Sequence, residues 1–121
     1  MNDDRSAFDV VEALHRAMGD AGFLKRMAIE FKTTLPGFIA VIAAAVREDR
    51  LADAGRQAHQ LKGAAANLGA KAMAAAFLDL ESIGQADRGG SEAPAALRRL
   101  ETAVEDFNRA LAAVDWNALE R

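Results

Sequence analysis

The sequence contains no cysteine, which excludes disulfides, thiolate metal ligands and cysteine nucleophiles and fits a reducing compartment. It also has no basic block, because 15 lysines and arginines stand against 18 acidic residues, for a formal net charge of −3. Such a chain cannot neutralise a row of phosphates, so we expect no binding to nucleic acid. The longest apolar run, FIAVIAAAV, is too short to cross a membrane, and the acidic start MNDDRSAFD is unlike a signal peptide. We therefore expect a cytoplasmic protein that binds no membrane.

Strand signals are missing as well, because the apolar residues recur every three and four positions rather than every second one. Alanine is abundant, and 51% of the residues are hydrophobic, as in a globular protein. The chain is predicted to be all-α, with one domain over residues 1–121 and flexible ends at 1–6 and 116–121. Four main amphipathic helices favour an antiparallel up-down four-helix bundle with a short extra N-terminal helix. The initial methionine and the lack of a linker sequence favour a free-standing protein over a module of a larger protein, and we expect a monomer.

The first two helices are predicted from their capping residues. Ser6, followed by Asp9, resembles a capping box and predicts a short helix over about residues 7–18, which covers the bundle as a lid. Asp20 is expected to cap a long second helix that continues past Pro36, either with a bend or as two stacked segments. The apolar residues expected to face inward on these helices are Phe8, Val11, Leu14, Leu24, Met27, Phe31, Leu35, Phe38, Ile42 and Val46.

Three further helices follow. Asp49 is expected to cap a third helix that ends at Gly69, and a fourth helix is predicted over about residues 71–83. The stretch GQADRGGSE at 84–92 is typical of a loop, and Ser91 is expected to begin the last helix. The residues expected to face inward on these helices are Leu51, Ala54, Ala58, Leu61, Ala65, Leu68, Met73, Phe77, Leu80, Leu97, Leu100, Val104, Phe107, Leu111 and Val114.

One of the two histidines, His59, lies away from the inward face of the third helix. The core stripe runs through Ala58 and Leu61, so the imidazole of His59 is predicted to be exposed. No carboxylate lies three or four residues away along the helix, and we therefore expect a neutral, accessible and nucleophilic ring. The neighbours of this histidine on its own face, one or two turns away, are Gly55, Arg56, Lys62, Gly63 and Ala66.

These residue types suit phosphoryl transfer between proteins. An ammonium group one turn from the nucleophile, as at Lys62, can stabilise the charge on the oxygens of the transferred group. In-line attack also requires a partner protein to approach this helix closely, and a side chain at position 63 would hold the partner away. Gly63 is therefore explained as clearance for docking, at a helix-stability cost of roughly 0.5–1 kcal/mol relative to alanine.

The residues His59, Leu61, Lys62, Gly63 and Gly69 form the pattern H-x-L-K-G followed by a later glycine. This pattern resembles that of histidine-containing phosphotransfer (HPt) domains of multistep two-component phosphorelays. The similar segment covers about residues 23–83, including the proline of the long helix and the Leu80–Glu81 pair, and the order of helices extends the resemblance over nearly the whole chain.

The resemblance implies that His59 accepts a phosphoryl group from an aspartyl phosphate on a response-regulator receiver domain and passes it to another receiver. A hybrid histidine kinase is a further partner class that the resemblance implies. Mg²⁺ and the acidic pocket would belong to the receiver, so no cofactor is expected in this chain.

A partner is expected to bind the face around the histidine through Gly55, Arg56 and Ala66, together with Ile29 on the long helix. Two alternatives to phosphotransfer stay open. The first is a docking adaptor or sequestering protein that binds receivers without carrying phosphate. The second is a purely structural helical bundle, which would leave Gly55 and Gly63 unexplained.

The sequence carries no sign of two other kinds of site. It has no glycine-rich phosphate loop and no ATP-binding motif, so we expect a phosphocarrier and not an autonomous kinase. Glu12 and His15 have the Glu-x-x-His spacing of di-metal bundles, but a second copy of that motif is absent. His15 is therefore interpreted as a surface residue, and no metal site is expected.

Overall fold

The computed structural model describes residues 5–86 and 91–120, and within these ranges it contains helices and no strand. The helices of the described ranges are α1 (Val10–Arg16), α2 (Ala21–Arg47), α3 (Leu51–Asn67), α4 (Lys71–Ala86), α5 (Glu92–Ala112) and α6 (Trp116–Leu119). The bundle consists of α2 to α5, in which α3 packs on α4, α4 packs on α5, and α2 contacts both α3 and α5. The predicted all-α class and helical bundle are confirmed.

The long helix α2 is continuous. The side chain of Asp20 accepts a hydrogen bond from the N–H of Phe23 at 3.0 Å, which confirms the predicted cap. Pro36 lies within the helix, so the single long helix is correct and the two stacked segments are not. Among the described helices, α2 alone has the length and hydropathy of a membrane span. It also supplies buried core residues such as Leu35 and Ile42, as the core helix of a bundle does, so this does not indicate a membrane protein.

The helix α1 begins later than predicted. Asp9, and not Ser6, is the N-cap, since its Oδ1 accepts a hydrogen bond from the N–H of Glu12 at 3.1 Å. The carbonyl of Ser6 instead accepts a hydrogen bond at 2.6 Å from a backbone N–H near the start of α4. Phe8 is buried, but Val11 is exposed, which corrects the predicted shared face. The reason is that Phe8 precedes the helix and therefore does not follow its period.

The prediction that Asp49 caps α3 is wrong. Asp49 has a φ of +58° and its N–H donates to the carbonyl of Val46, so this residue ends α2 in the left-handed region that aspartate tolerates better than most residues. The N-cap of α3 is Arg50, which makes no side-chain capping bond. Its guanidinium group instead pairs with Glu48 and Asp53.

Gly69 ends α3, as predicted, and its φ of +73° favours glycine. A Cβ at this position would lie 2.5 Å from the carbonyl oxygen of Asp9, whose own N–H donates to the carbonyl of Gly69 at 2.8 Å. The ammonium of Lys71 then bridges two carboxylates, at 2.9 Å from Asp9 and 3.0 Å from Glu12. These contacts fix α1 across the connection between α3 and α4.

The predicted loop at 84–92 begins later, because α4 continues past Gly84, which packs against α3. Residues 87–90 of that loop lie outside the described residues, as do residues 1–4 and 121 of the two predicted ends. Ser91 is the N-cap of α5, as expected. The C-terminal end predicted to be flexible contains α6, in which Trp116 packs against the core.

Most of the residues predicted to face inward are buried or packed against the core. The ring of Phe107 lies at the centre, 5.3 Å from the ring of Phe8 and 6.1 Å from that of Phe31, both in edge-to-face geometry. The burial of Phe8 supports the predicted lid. Met27 and Phe38 are exceptions, since they are 41% and 39% exposed. The apolar stripe of α2 is therefore wider than the core it covers.

Candidate functional site

His59 lies midway along α3 with its side chain 64% exposed. Ala58 and Leu61 on the same helix are buried, so the helical period directs the imidazole outward. The predicted accessibility of His59 is confirmed.

A carboxylate that the sequence analysis did not place at the site holds the imidazole. Oε2 of Glu81, on α4, lies 2.5 Å from Nδ1 of His59, and Oε1 of the same carboxylate lies 2.6 Å from Nζ of Lys62. The expectation of a ring without a neighbouring carboxylate is therefore wrong. That expectation rested only on the spacing of residues along α3, whereas Glu81 is on α4, 22 residues from His59 in the sequence. The available signal was the Leu80–Glu81 pair, at which Leu80 is buried and Glu81 follows it on α4.

The charge of Glu81 determines which ring nitrogen is free. The hydrogen bond from Lys62 lowers the pKa of the Glu81 carboxyl, as does the bond from His59, while burial opposes both. The carboxylate is thus ionised at neutral pH and can only accept hydrogen bonds, so Nδ1 of His59 must carry the proton. In the neutral ring, the lone pair is therefore on Nε2, which lies across the ring from the nitrogen that contacts Glu81.

Two glycines bring α3 and α4 close enough for this contact. Gly55 is buried, and a Cβ there would lie 3.2 Å from Cα of Gly84 and 3.3 Å from the carbonyl oxygen of Glu81. Both glycines line a depression of about 630 Å³ that His59 also borders. Gly55 was predicted to lie on the exposed face around His59, and this placement is wrong, because the glycine is buried against α4. Its contact with a partner stays a prediction.

The other residues predicted around His59 are exposed. Gly63 has no atom within 4 Å of the position that a Cβ would occupy. Arg56 is exposed and pairs with Asp53. Ala66 is also exposed, and its carbonyl accepts a hydrogen bond at 2.5 Å from Arg16 of α1. A partner that approached Nε2 would meet these residues, but their contact with a partner stays a prediction.

Ile29, a predicted partner contact, does not face the groove that α2 forms with α1 and α3. A groove of about 550 Å³ runs between α1, α2 and the second half of α3, and Phe23 and Met27 are among the α2 residues that line it. Ile29 is exposed, but it is about 200° around the helix from Met27 and does not line the groove. Phe23 and Met27, which line the groove, are 45% and 41% exposed, and a partner contact at Ile29 stays a prediction.

The second histidine makes no comparable arrangement. His15 is exposed on α1, and the carboxylate of Glu12 pairs with Arg16 and Lys71 instead. Within residues 5–86 and 91–120, no group of three or more histidine or acidic side chains is arranged to hold a metal ion.

A comparison with protein families finds one match that covers most of the bundle. The family model described as the Hpt domain matches residues 26–113, which include α3, α4, α5 and most of α2. Neither the curated proteins nor the solved structures include a significant match to the chain.

Proposed function

Because the chain belongs to the Hpt domain family, whose members act in histidine phosphotransfer in phosphorelays, we propose that His59 is the phosphoryl acceptor of this protein. It takes the group from an aspartyl phosphate on a response-regulator receiver domain and passes it to another receiver. The observation that carries the proposal is the hydrogen bond between Nδ1 of His59 and Glu81, which leaves the exposed Nε2 as the nucleophile.

The transfer balances without removal of a proton. The lone pair of Nε2 forms a bond to phosphorus while the bond from phosphorus to the aspartyl oxygen breaks, and the electron pair of that bond returns to the receiver carboxylate. The ring keeps its proton on Nδ1 and gains positive charge as the new bond forms. The carboxylate of Glu81, 2.5 Å from Nδ1, stabilises that charge. The reverse steps deliver the group to the next receiver.

The surface around Nε2 is suited to a protein donor. The open space at Gly63 and the small side chain of Ala66 let another protein come close to the ring. The groove lined by Phe23 and Met27 lies on the other side of α3 from α4 and offers exposed apolar area for docking. The receiver supplies the Mg²⁺ ion and the acidic pocket. The protein is thus a carrier with no ATP-dependent kinase activity of its own.

The test is to mix the protein with receiver domains phosphorylated on aspartate and to measure acid-labile phosphate on this chain. We expect labelling of the wild type and complete loss of labelling in His59→Gln. His15→Gln is the matched control, since it removes the other exposed histidine, and it should accept phosphate normally.

Two results would contradict the proposal. Label that persists on His59→Gln would show that the acceptor is another residue. Stable binding of receivers with no phosphate on the wild type would identify a docking adaptor instead. Circular dichroism of both variants should match the wild type, because both histidines are exposed.

A further inference from the structure

The carboxylate of Glu81 creates a difficulty that a second residue must resolve. A carboxylate in contact with an imidazole favours the protonated ring, because the opposite charges attract. An imidazolium has no lone pair on Nε2 and cannot accept a phosphoryl group. The group that orients His59 would therefore tend to inactivate it near neutral pH, unless its charge is offset.

Lys62 is placed to offset that charge. Its Nζ lies 2.6 Å from Oε1 of Glu81, so the carboxylate is shared between one ammonium and one imidazole. The lysine side chain is 32% exposed, half as much as that of His59, and its ammonium is bound to the carboxylate within its own chain. Besides Glu81 and the ring of His59, the charged residue that borders the depression is Arg56, which is exposed and pairs with Asp53.

We propose that Lys62 is a positioning residue that balances the charge of Glu81, so that the carboxylate orients His59 without holding its ring protonated. This inference rests on the proposed function and assigns to Lys62 a role other than direct contact with the phosphoryl group. It predicts that the effect of removing Lys62 depends on pH. A lysine that acts directly on the phosphoryl oxygens would give an effect of the same size at every pH at which it is charged.

The first measurement follows the ring resonances of His59 by NMR as the pH is varied, with no partner present. In Lys62→Met the titration midpoint should move up by about one pH unit, because Glu81 then acts on the imidazole alone. Lys62→Arg keeps the cation and should titrate close to the wild type. The double variant Lys62→Met/Glu81→Gln removes both charges and should return the midpoint towards the wild-type value.

Lys71→Met is the matched control, because Lys71 also bridges two carboxylates but lies at α1, away from His59. It should leave the His59 midpoint unchanged. A midpoint that does not move in Lys62→Met, or that does not return in the double variant, would overturn the proposal.

The second measurement compares transfer rates of Lys62→Met and the wild type with the same receiver across pH. At pH values below the wild-type midpoint, the rate of Lys62→Met should be about one tenth of the wild-type rate. The ratio of the two rates should recover towards one at high pH, where the ring is neutral in both proteins. A ratio that stays equally low at all pH values would overturn the proposal and assign Lys62 to the phosphoryl group directly. If the midpoints move as expected but the wild type takes no phosphate, the proposed function fails while the charge balance stands.

Discussion

The two halves of α3 use glycine in opposite ways. Before His59, Gly55 is packed against α4, and a Cβ would come within 3.2 Å of the backbone of Gly84. After His59, Gly63 faces open space, and a Cβ would meet no atom within 4 Å. In the first half the glycine allows two helices to approach, whereas in the second half nothing in the described fold requires it. The absence of a packing reason at Gly63 is what supports clearance for another protein.

The comparison predicts that Gly63→Gln mainly affects transfer. A long side chain one turn from His59 should displace the docked receiver, and a displacement of about 1 Å can reduce a rate by about a hundredfold. The bundle should remain folded, because the position is open. Transfer from a phosphorylated receiver and thermal unfolding should be measured on the same protein.

The control for Gly63→Gln is Thr102→Gln, at an exposed position of α5, a helix that packs on α4 and α2. It should transfer phosphate at the wild-type rate. If Gly63→Gln does so too, Gly63 provides no clearance.

In the contact between α3 and α4, by contrast, a substitution of glycine is expected to lower stability. In Gly84→Ala the new Cβ would lie 2.6 Å from the carbonyl oxygen of Leu51 and 3.0 Å from Cα of Gly55, so the backbones must move apart. We expect the free energy of unfolding to fall by about 1–3 kcal/mol, as for other overpacked sites. Gly37→Ala is the matched control in α2, where a Cβ meets no atom within 4 Å, and it should not be destabilised. Equal stability of the two variants in urea would show that the contact is not tight.

A smaller effect is expected for Gly63→Ala. The helix is regular at this position, so replacing glycine should raise the free energy of unfolding by about 0.5–1 kcal/mol through lower backbone entropy in the unfolded chain. The transfer rate should fall at the same time, since the methyl group projects from the docking face. If Gly63→Ala is more stable and transfers phosphate at the wild-type rate, the absence of a side chain at Gly63 is not needed for docking.

The smallest expected effect is the dependence of folding stability on pH through Glu81. The pKa of Glu81 is lowered in the fold from its ordinary value of 4.5, so its ionised form stabilises the folded state. That contribution is complete above the unfolded pKa and is lost as the pH falls through the folded pKa. Glu81→Gln should therefore be less stable than the wild type near neutral pH, and the difference should shrink below pH 4.5. A difference that is constant from neutral to acid pH would contradict this linkage.

The sequence predicted what depends on local pattern and missed what depends on contacts between helices. The period of α3 correctly placed Ala58 inside and His59 outside. Glu81 was not predicted as a partner of His59, because the register of α4 on α3 is set by the Gly55–Gly84 contact, which no spacing along one helix reveals. Asp49 is a suitable N-cap by type, but the same residue ends α2 in the left-handed region. Aspartate is therefore suited both to capping α3 and to ending α2, and in the fold Asp49 ends α2.

The measurement that tests the account most directly is the position of the phosphoryl group on the labelled protein, determined by phosphorus and nitrogen NMR. The hydrogen bond from Nδ1 to Glu81 predicts one phosphohistidine, at His59, with phosphorus on Nε2. Phosphorus on Nδ1 of His59, or on any other residue, would contradict the account.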